Sequence, residues 1–136
     1  MKLAANSNRQ ITLYYNATSK LGKQALADAK ATNAQLREID ITKEKVSGTE
    51  WVKVAKLLDL SIMDLINQEH SVFKNIYGNK TVNLSEEDGL KILEKHPETL
   101  VYPIAIRGRK GTLVKQSTDM RKLKSNNSKG TNLDWS

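Results

Sequence analysis

The sequence has no cysteine among its 136 residues. That excludes disulfides, iron–sulfur clusters, thiolate-ligated zinc and every thiolate nucleophile. Histidine occurs only as His70 and His96, too widely spaced to suggest a histidine metal site, so no metal is expected. Aromatics make up 5% of the chain, and the prolines are Pro97 and Pro103 alone. No apolar run approaches the ~20 residues that span a bilayer. Residues 1–10 offer only Leu3-Ala4-Ala5 as an apolar stretch, without the hydrophobic core of a signal peptide. A cytoplasmic chain without membrane association is expected. What is present is ordinary for one globular domain: 38% hydrophobic and 27% charged residues, in a length that fits a single core.

The net charge of +7 is concentrated. Residues 1–106 balance to +1, whereas 107–124 carry Arg107, Arg109, Lys110, Lys115, Arg121, Lys122 and Lys124 against Asp119 alone. So local a basic segment is a candidate contact surface for an acidic protein or for nucleic acid. Tyr102 is the single aromatic nearby, and base stacking wants several, which puts nucleic acid last among the partners.

Ile11-Thr-Leu-Tyr-Tyr15 alternates apolar residues on a β-branched and aromatic background, which predicts a first strand over 11–15. Asn16 to Ser19 supplies turn and cap residues. The run after it places Leu21, Ala25 and Ala29 on one helical face. A second, parallel strand over 35–39 completes a βαβ unit. Ser47-Gly-Thr-Glu50 predicts a capping box, with Glu50 reaching back, ahead of a helix carrying Trp51, Val54, Ala55 and Leu58. Ser61 and Ser71 should open two short helical segments. Ser85-Glu-Glu-Asp88 should open another, with acids in the first turn where the macrodipole favours them. Strands over 103–107 and 111–115 form a hairpin around Arg107-Gly-Arg-Lys-Gly111, and Thr118 caps a short final helix. Trp51, Leu57, Leu58 and Phe73 are the expected core of the helical block. Residues 1–9 read as an N-terminal extension and 10–123 as the domain. Residues 124–136 read as a flexible tail in which Leu133 and Trp135 are apolar enough to dock.

The order β–α–β, a helical insertion, then β–β–α, with a proline opening the third strand, resembles a single thioredoxin-like α/β domain on a four-stranded mixed sheet. The likeness is finer than the fold. Ile11-Thr-Leu-Tyr-Tyr-Asn16, then Gln24-Ala-Leu26, Asp59-Leu-Ser-Ile-Met-Asp-Leu65, Ser71-Val-Phe-Lys74, His96-Pro97 and Tyr102-Pro103-Ile104 together resemble the glutaredoxin-linked arsenate reductase family. Its other branch holds the Spx transcriptional regulators. The resemblance implies a cis peptide at Pro103 and puts Ser19 where the reductases carry their catalytic cysteine. It puts Asn67, Tyr102 and Gln116 where they carry three oxyanion-binding arginines.

A serine hydroxyl cannot form the thiol–arsenate adduct or the glutathione mixed disulfide of that reaction. Ser19 by itself reads as a helix N-cap. Lys20 and Lys23, beside it, read as a solvated face, and His70 and His96 as surface or capping residues. The expected function is therefore a non-catalytic, cysteine-free relative that binds a protein, with RNA polymerase the partner class that the Spx likeness suggests. An alternative is a glutathione-dependent reductase or transferase that uses Ser19 near Pro103, with glutathione as its cofactor. The third is nonspecific nucleic-acid binding through 107–124.

Overall fold

A computed structural model describes residues 10–32 and 34–123. Strand β1, Gln10–Tyr15, lies inside the sheet, where Ile11, Leu13, Tyr14 and Tyr15 give it apolar side chains to be covered on either face. Helix α1, Lys20–Lys30, carries the chain back to strand β2, Gln35–Asp40, which pairs parallel with β1 from Gln10↔Gln35 to Tyr15↔Asp40. Helices α2 (Gly48–Leu58), α3 (Ser71–Tyr77) and α4 (Glu86–Lys95) then form the insertion. Strand β3, Ile104–Arg107, runs antiparallel beside β1, and β4, Lys110–Leu113, follows on the outside through the two-residue turn Gly108-Arg109. The sheet order is β2-β1-β3-β4. A 3-10 segment, Ser117–Leu123, closes the described chain.

Strand alternation divides the core in two. Tyr14, Ile39, Ile104 and Ile106 face the helical insertion, where Trp51, Val54, Leu65, Phe73 and Leu93 pack on them. Ile11, Leu13, Tyr15, Ala105 and Val114 face the other way, onto Ala25 and Ala29 of α1 and onto Met120 and Leu123. The small alanines of α1 let that helix sit close to the sheet, and the wide insertion covers the opposite face.

Several local expectations change. Trp51 and Phe73 are fully buried, but Leu57 and Leu58 are half-buried at the end of α2. Ser47 does cap α2 by accepting from Glu50 N–H at 3.2 Å. The return half of the box is absent: the Glu50 carboxylate accepts from the Tyr14 hydroxyl at 2.7 Å instead. The Gly48 N–H donates to Glu94 of α4. A long-range bond has displaced the local one, which ties α2 to both the sheet and α4. Burial and then the Glu50 carboxylate push the Tyr14 hydroxyl pKa far up, so this phenol stays protonated and donating. Ser61 opens only the 3-10 turn Met63–Leu65, and α3 is capped by His70, whose Nδ1 accepts from Val72 N–H at 3.1 Å. His96 terminates α4. Both histidines are thus helix-end residues.

The expected final helix is the 3-10 segment, and its organiser is Asp119 rather than Thr118. The buried Asp119 carboxylate accepts from Lys115 N–H at 2.8 Å and Gln116 N–H at 3.2 Å and pairs with Lys122 at 3.1 Å. Burial works against this carboxylate, but those partners outweigh it, and its pKa falls below the ordinary value. Folding depresses the pKa, so the stabilisation is complete above about pH 4, the unfolded value. It is lost as pH falls through the lower folded value. Asp119→Asn should therefore cost about 1.5–3 kcal/mol at neutral pH. It should also flatten the acid limb of the stability curve below about pH 4, read by urea denaturation as a function of pH.

Candidate functional site

The β1–α1 loop is built by its own polar side chains. The Asn16 Oδ1 accepts from Thr18 N–H at 2.8 Å and from the Thr18 hydroxyl at 2.6 Å, forming an Asx turn. The Asn16 carbonyl accepts from Ser19 N–H at 3.1 Å. From the end of β2, Asp40 reaches across and accepts from Ala17 N–H at 3.3 Å, as well as from Thr42 N–H and hydroxyl at 3.1 and 2.7 Å. Burial disfavours the Asp40 carboxylate, but these hydrogen bonds prevail and hold its pKa below the ordinary value.

Ser19 stands at the N-cap of the 11-residue α1 with extended backbone, φ −95° and ψ 151°. Its Oγ accepts from Gly22 N–H at 2.8 Å and donates to the Asn16 carbonyl at 3.1 Å. The hydroxyl proton is directed at a backbone carbonyl. No acidic residue stands in the first turn of α1, and the described partners of Ser19 include no side-chain base. This is the geometry of a cap.

Register places the other positions at the same end of the sheet. Tyr14 pairs with Ile104, so Pro103 falls opposite the end of β1, ahead of the loop that carries Ser19. Pro103 is buried and precedes β3; its carbonyl accepts from Val114 N–H at 2.8 Å, and its missing N–H forgoes only the return bond of that pair, at the very start of the ladder where a proline is tolerated. Its peptide bond is trans, as are all others among the described residues, which corrects the expected cis proline. Trans is the lower state of an X–Pro bond by about 0.5–1 kcal/mol, and the carbonyl meets Val114 N–H, just past β4, in that form.

Asn67 caps a turn of its own, with Oδ1 accepting from Glu69 N–H at 2.9 Å, while its N–H donates to the Thr99 carbonyl at 2.7 Å. With the Ile66↔Leu100 bridge, this stitches 65–67 to 99–101 near Tyr102. Tyr102 is half-buried, with Lys115 Nζ 5.4 Å from its ring centre. Gln116 is exposed, and its backbone is held by Asp119. One end of the sheet therefore gathers Ser19, Asn67, Tyr102, Pro103 and Gln116. Among these five, no side chain bears a charge.

The basic segment is partly spent on the fold. Arg107 is half-buried, its guanidinium donating to the Leu123 carbonyl at 3.2 Å, and desolvation lowers its pKa. Lys122 pairs with Asp119 and Lys115 lies over Tyr102. Arg109, Lys110 and Arg121 are exposed. Lys124 and the tail positions Leu133 and Trp135 lie outside the described residues. Among the described residues, no helix is long and apolar enough to cross a membrane.

Of the residues that organise the site, Asn16 falls within the turn expected over 16–19, whereas Asp40 and Gly22 were not expected to take part. The Asn16-x-Thr-Ser spacing is the local signal for an Asx turn running into a cap. Asp40 and Gly22 act through contacts that only the tertiary fold creates.

No family model matches the chain, and no curated protein matches it in sequence. Solved structures do match. An arsenate reductase from Vibrio cholerae superposes with a TM-score of 0.72 at 14% identity, covering 82% of this chain and 94% of that one. A protein from Staphylococcus aureus gives a TM-score of 0.63 at 20% identity, covering 81% and 96%. An arsenate reductase (ArsC) related protein from Brucella melitensis gives 0.61 at 14%, covering 82% and 92%. Likeness at such identities establishes architecture: the chain has the thioredoxin-like fold of the Vibrio cholerae arsenate reductase and of these other structures, and it is free of cysteine.

Proposed function

We propose that this protein is a non-catalytic member of the arsenate reductase and Spx group that acts by binding another protein in the cytoplasm. The observation that carries the reading is the state of Ser19. The group at the position of the family nucleophile is a helix cap, bonded on one side to Gly22 N–H and on the other to the Asn16 carbonyl. The uncharged Asn67, Tyr102 and Gln116 support it, since an oxyanion site without a cation loses the charge-assisted bonds that hold such ligands. RNA polymerase is the partner class that the Spx resemblance suggests.

The test pairs two measurements. Tagged protein is used to capture partners from the native cytoplasm, and calorimetry follows titration with millimolar glutathione. A stoichiometric protein partner together with flat glutathione titrations is the expected result. Saturable glutathione binding without a protein partner overturns the reading in favour of a glutathione-dependent enzyme built on Ser19 and Pro103.

A further inference from the structure

Among the described residues, strand β4 is an edge of the sheet, and it lies in a groove. A cleft of about 240 Å³ follows it, lined by Leu58, Leu60, Gly111 and Leu113 on the side of the helical insertion and by Lys115, Asp119 and Lys122 on the other. The end of α2 and the 3-10 segment Ser117–Leu123 thus form two walls, and the backbone of β4 is the floor between them.

Register shows which backbone groups face that floor. Val114 N–H donates to the Pro103 carbonyl, so 103/114 is a hydrogen-bonded pair. Antiparallel pairs alternate, which makes 105/112 and 107/110 hydrogen-bonded and 104/113 and 106/111 non-bonded. Gly111 and Leu113 therefore turn their N–H and C=O groups away from β3, outward into the cleft. Gly111 lets the wall close in: a Cβ there would lie 2.7 Å from Leu57 Cδ2 and 3.0 Å from Leu58 Cδ2, so those leucine side chains would have to move aside.

The two walls differ in chemistry. Leu58, Leu60 and Leu113 are half-buried and apolar, whereas Lys115 and Lys122 are exposed cations, with Arg109 and Arg121 close by in sequence. The one acid on that wall, Asp119, is buried and bonded to Lys115 N–H, Gln116 N–H and Lys122. In an added strand, successive side chains point to opposite faces. The occupant that fits is thus an extended peptide alternating apolar residues, toward the leucines, with acidic residues, toward the lysines. A second copy of β4 is disfavoured, because it would bring Arg109, Lys110 and Lys115 against their own counterparts.

We infer that β4 is a docking edge that accepts an extended, acidic–apolar segment of a partner protein as a fifth strand. This rests on the protein-binding reading above and names its surface and the chemistry of its partner.

The probe is an end-blocked decapeptide alternating glutamate with valine, titrated into the full-length, isotope-labelled protein and followed by amide NMR and hydrogen exchange. The expected result is shifts and new exchange protection at Gly111 and Leu113 N–H. Thr112 N–H, already bonded to β3, should gain no protection. A decapeptide with lysine in place of glutamate should bind at least about tenfold more weakly, as should the glutamate peptide to Lys115→Glu. The glutamate peptide N-methylated on alternate residues should not bind, and it tests the backbone ladder without altering the protein. Leu113→Pro removes one outward N–H and no bond to β3, and should likewise abolish binding.

Absence of shifts at Gly111 and Leu113, or equal binding of the N-methylated or lysine peptides, overturns the inference. So does protection of both amides in the free protein, which would mean that the edge is already occupied by the chain's own remaining residues or by a second copy. A captured cytoplasmic partner that still binds Lys115→Glu and Leu113→Pro at full strength overturns the docking edge and leaves the protein-binding reading intact. Capture of no partner at all defeats that reading itself.

Discussion

Arsenate reduction by this protein, assayed with glutathione and glutaredoxin, is expected to stay at the background of the reagents. Two physical deficits act together. No atom of the chain can accept arsenic as a thiolate does, since the sequence has no cysteine and the Ser19 hydroxyl donates to a backbone carbonyl rather than to a base. And the positions that the resemblance aligns with the oxyanion arginines of the arsenate reductases hold the uncharged Asn67, Tyr102 and Gln116, with the Asn67 amide oxygen already committed to Glu69 N–H.

Ser19→Cys separates the two. Its sulfur would sit at the N-terminus of α1, where unpaired backbone N–H groups favour an anion, with Lys20 and Lys23 in the first turn. The thiol should titrate below the ordinary value of about 8.5 and react with an alkylating agent faster than a free cysteine at neutral pH. Arsenate turnover should remain at background, because the charge clamp is still missing. The measurements are alkylation rate against pH and coupled turnover, on wild type and Ser19→Cys. Turnover by the wild type would make Ser19 a nucleophile and reverse the functional reading. Turnover by Ser19→Cys alone would show that the helix terminus suffices to hold the oxyanion.

The parts of this molecule that sequence reveals are those set by short-range chemistry. Alternation in 11–15 marked β1, and Ser47 and Ser85 marked the starts of α2 and α4 through the bonds that the structure contains, to Glu50 N–H and Asp88 N–H. Ser19 was legible as a cap for the same reason. Misreadings occurred where a distant group outbid a near one. Glu50 was read as closing its own capping box, yet Tyr14, 36 residues earlier, takes its carboxylate. Thr118 was read as a cap, yet Asp119 carries that turn because its buried carboxylate can serve two N–H groups and a lysine together. Leu57 and Leu58 were read as core because helical spacing counts apolar positions. It does not show that the helix ends at the sheet's edge, where the surface is only half covered. The groove beside β4 was invisible in sequence, since its walls come from segments more than fifty residues apart and meet only through sheet order.

The β1–α1 loop gives the other large effect expected, from adding one methyl group. Gly22 lies in the first turn of α1 with its Cα against the loop: a Cβ there would collide with the Asn16 carbonyl oxygen and lie 2.8 Å from Ser19 Oγ. Helix propensity argues for the substitution, by about 1 kcal/mol for alanine over glycine. Sterics argue against it, and more strongly, because the atom struck is backbone and is itself the acceptor for both Ser19 N–H and Ser19 Oγ. Moving it breaks the cap as well as the packing. Gly22→Ala should lose about 3 kcal/mol net, at the upper end of the range for overpacking, and lower Tm by roughly 10 °C for a chain of this size. Gly89→Ala in α4 is the matched control. Its Cβ would meet Ile62 Cγ2 at 3.0 Å and Met63 Sδ at 3.4 Å, side-chain atoms that can give way, so the propensity gain should offset most of the strain. Calorimetric melting of the two variants beside the wild type decides the matter. A Gly22→Ala melt as high as that of Gly89→Ala would mean that the loop yields freely, and that Ser19 is not held in place by the close approach of Asn16 to the helix.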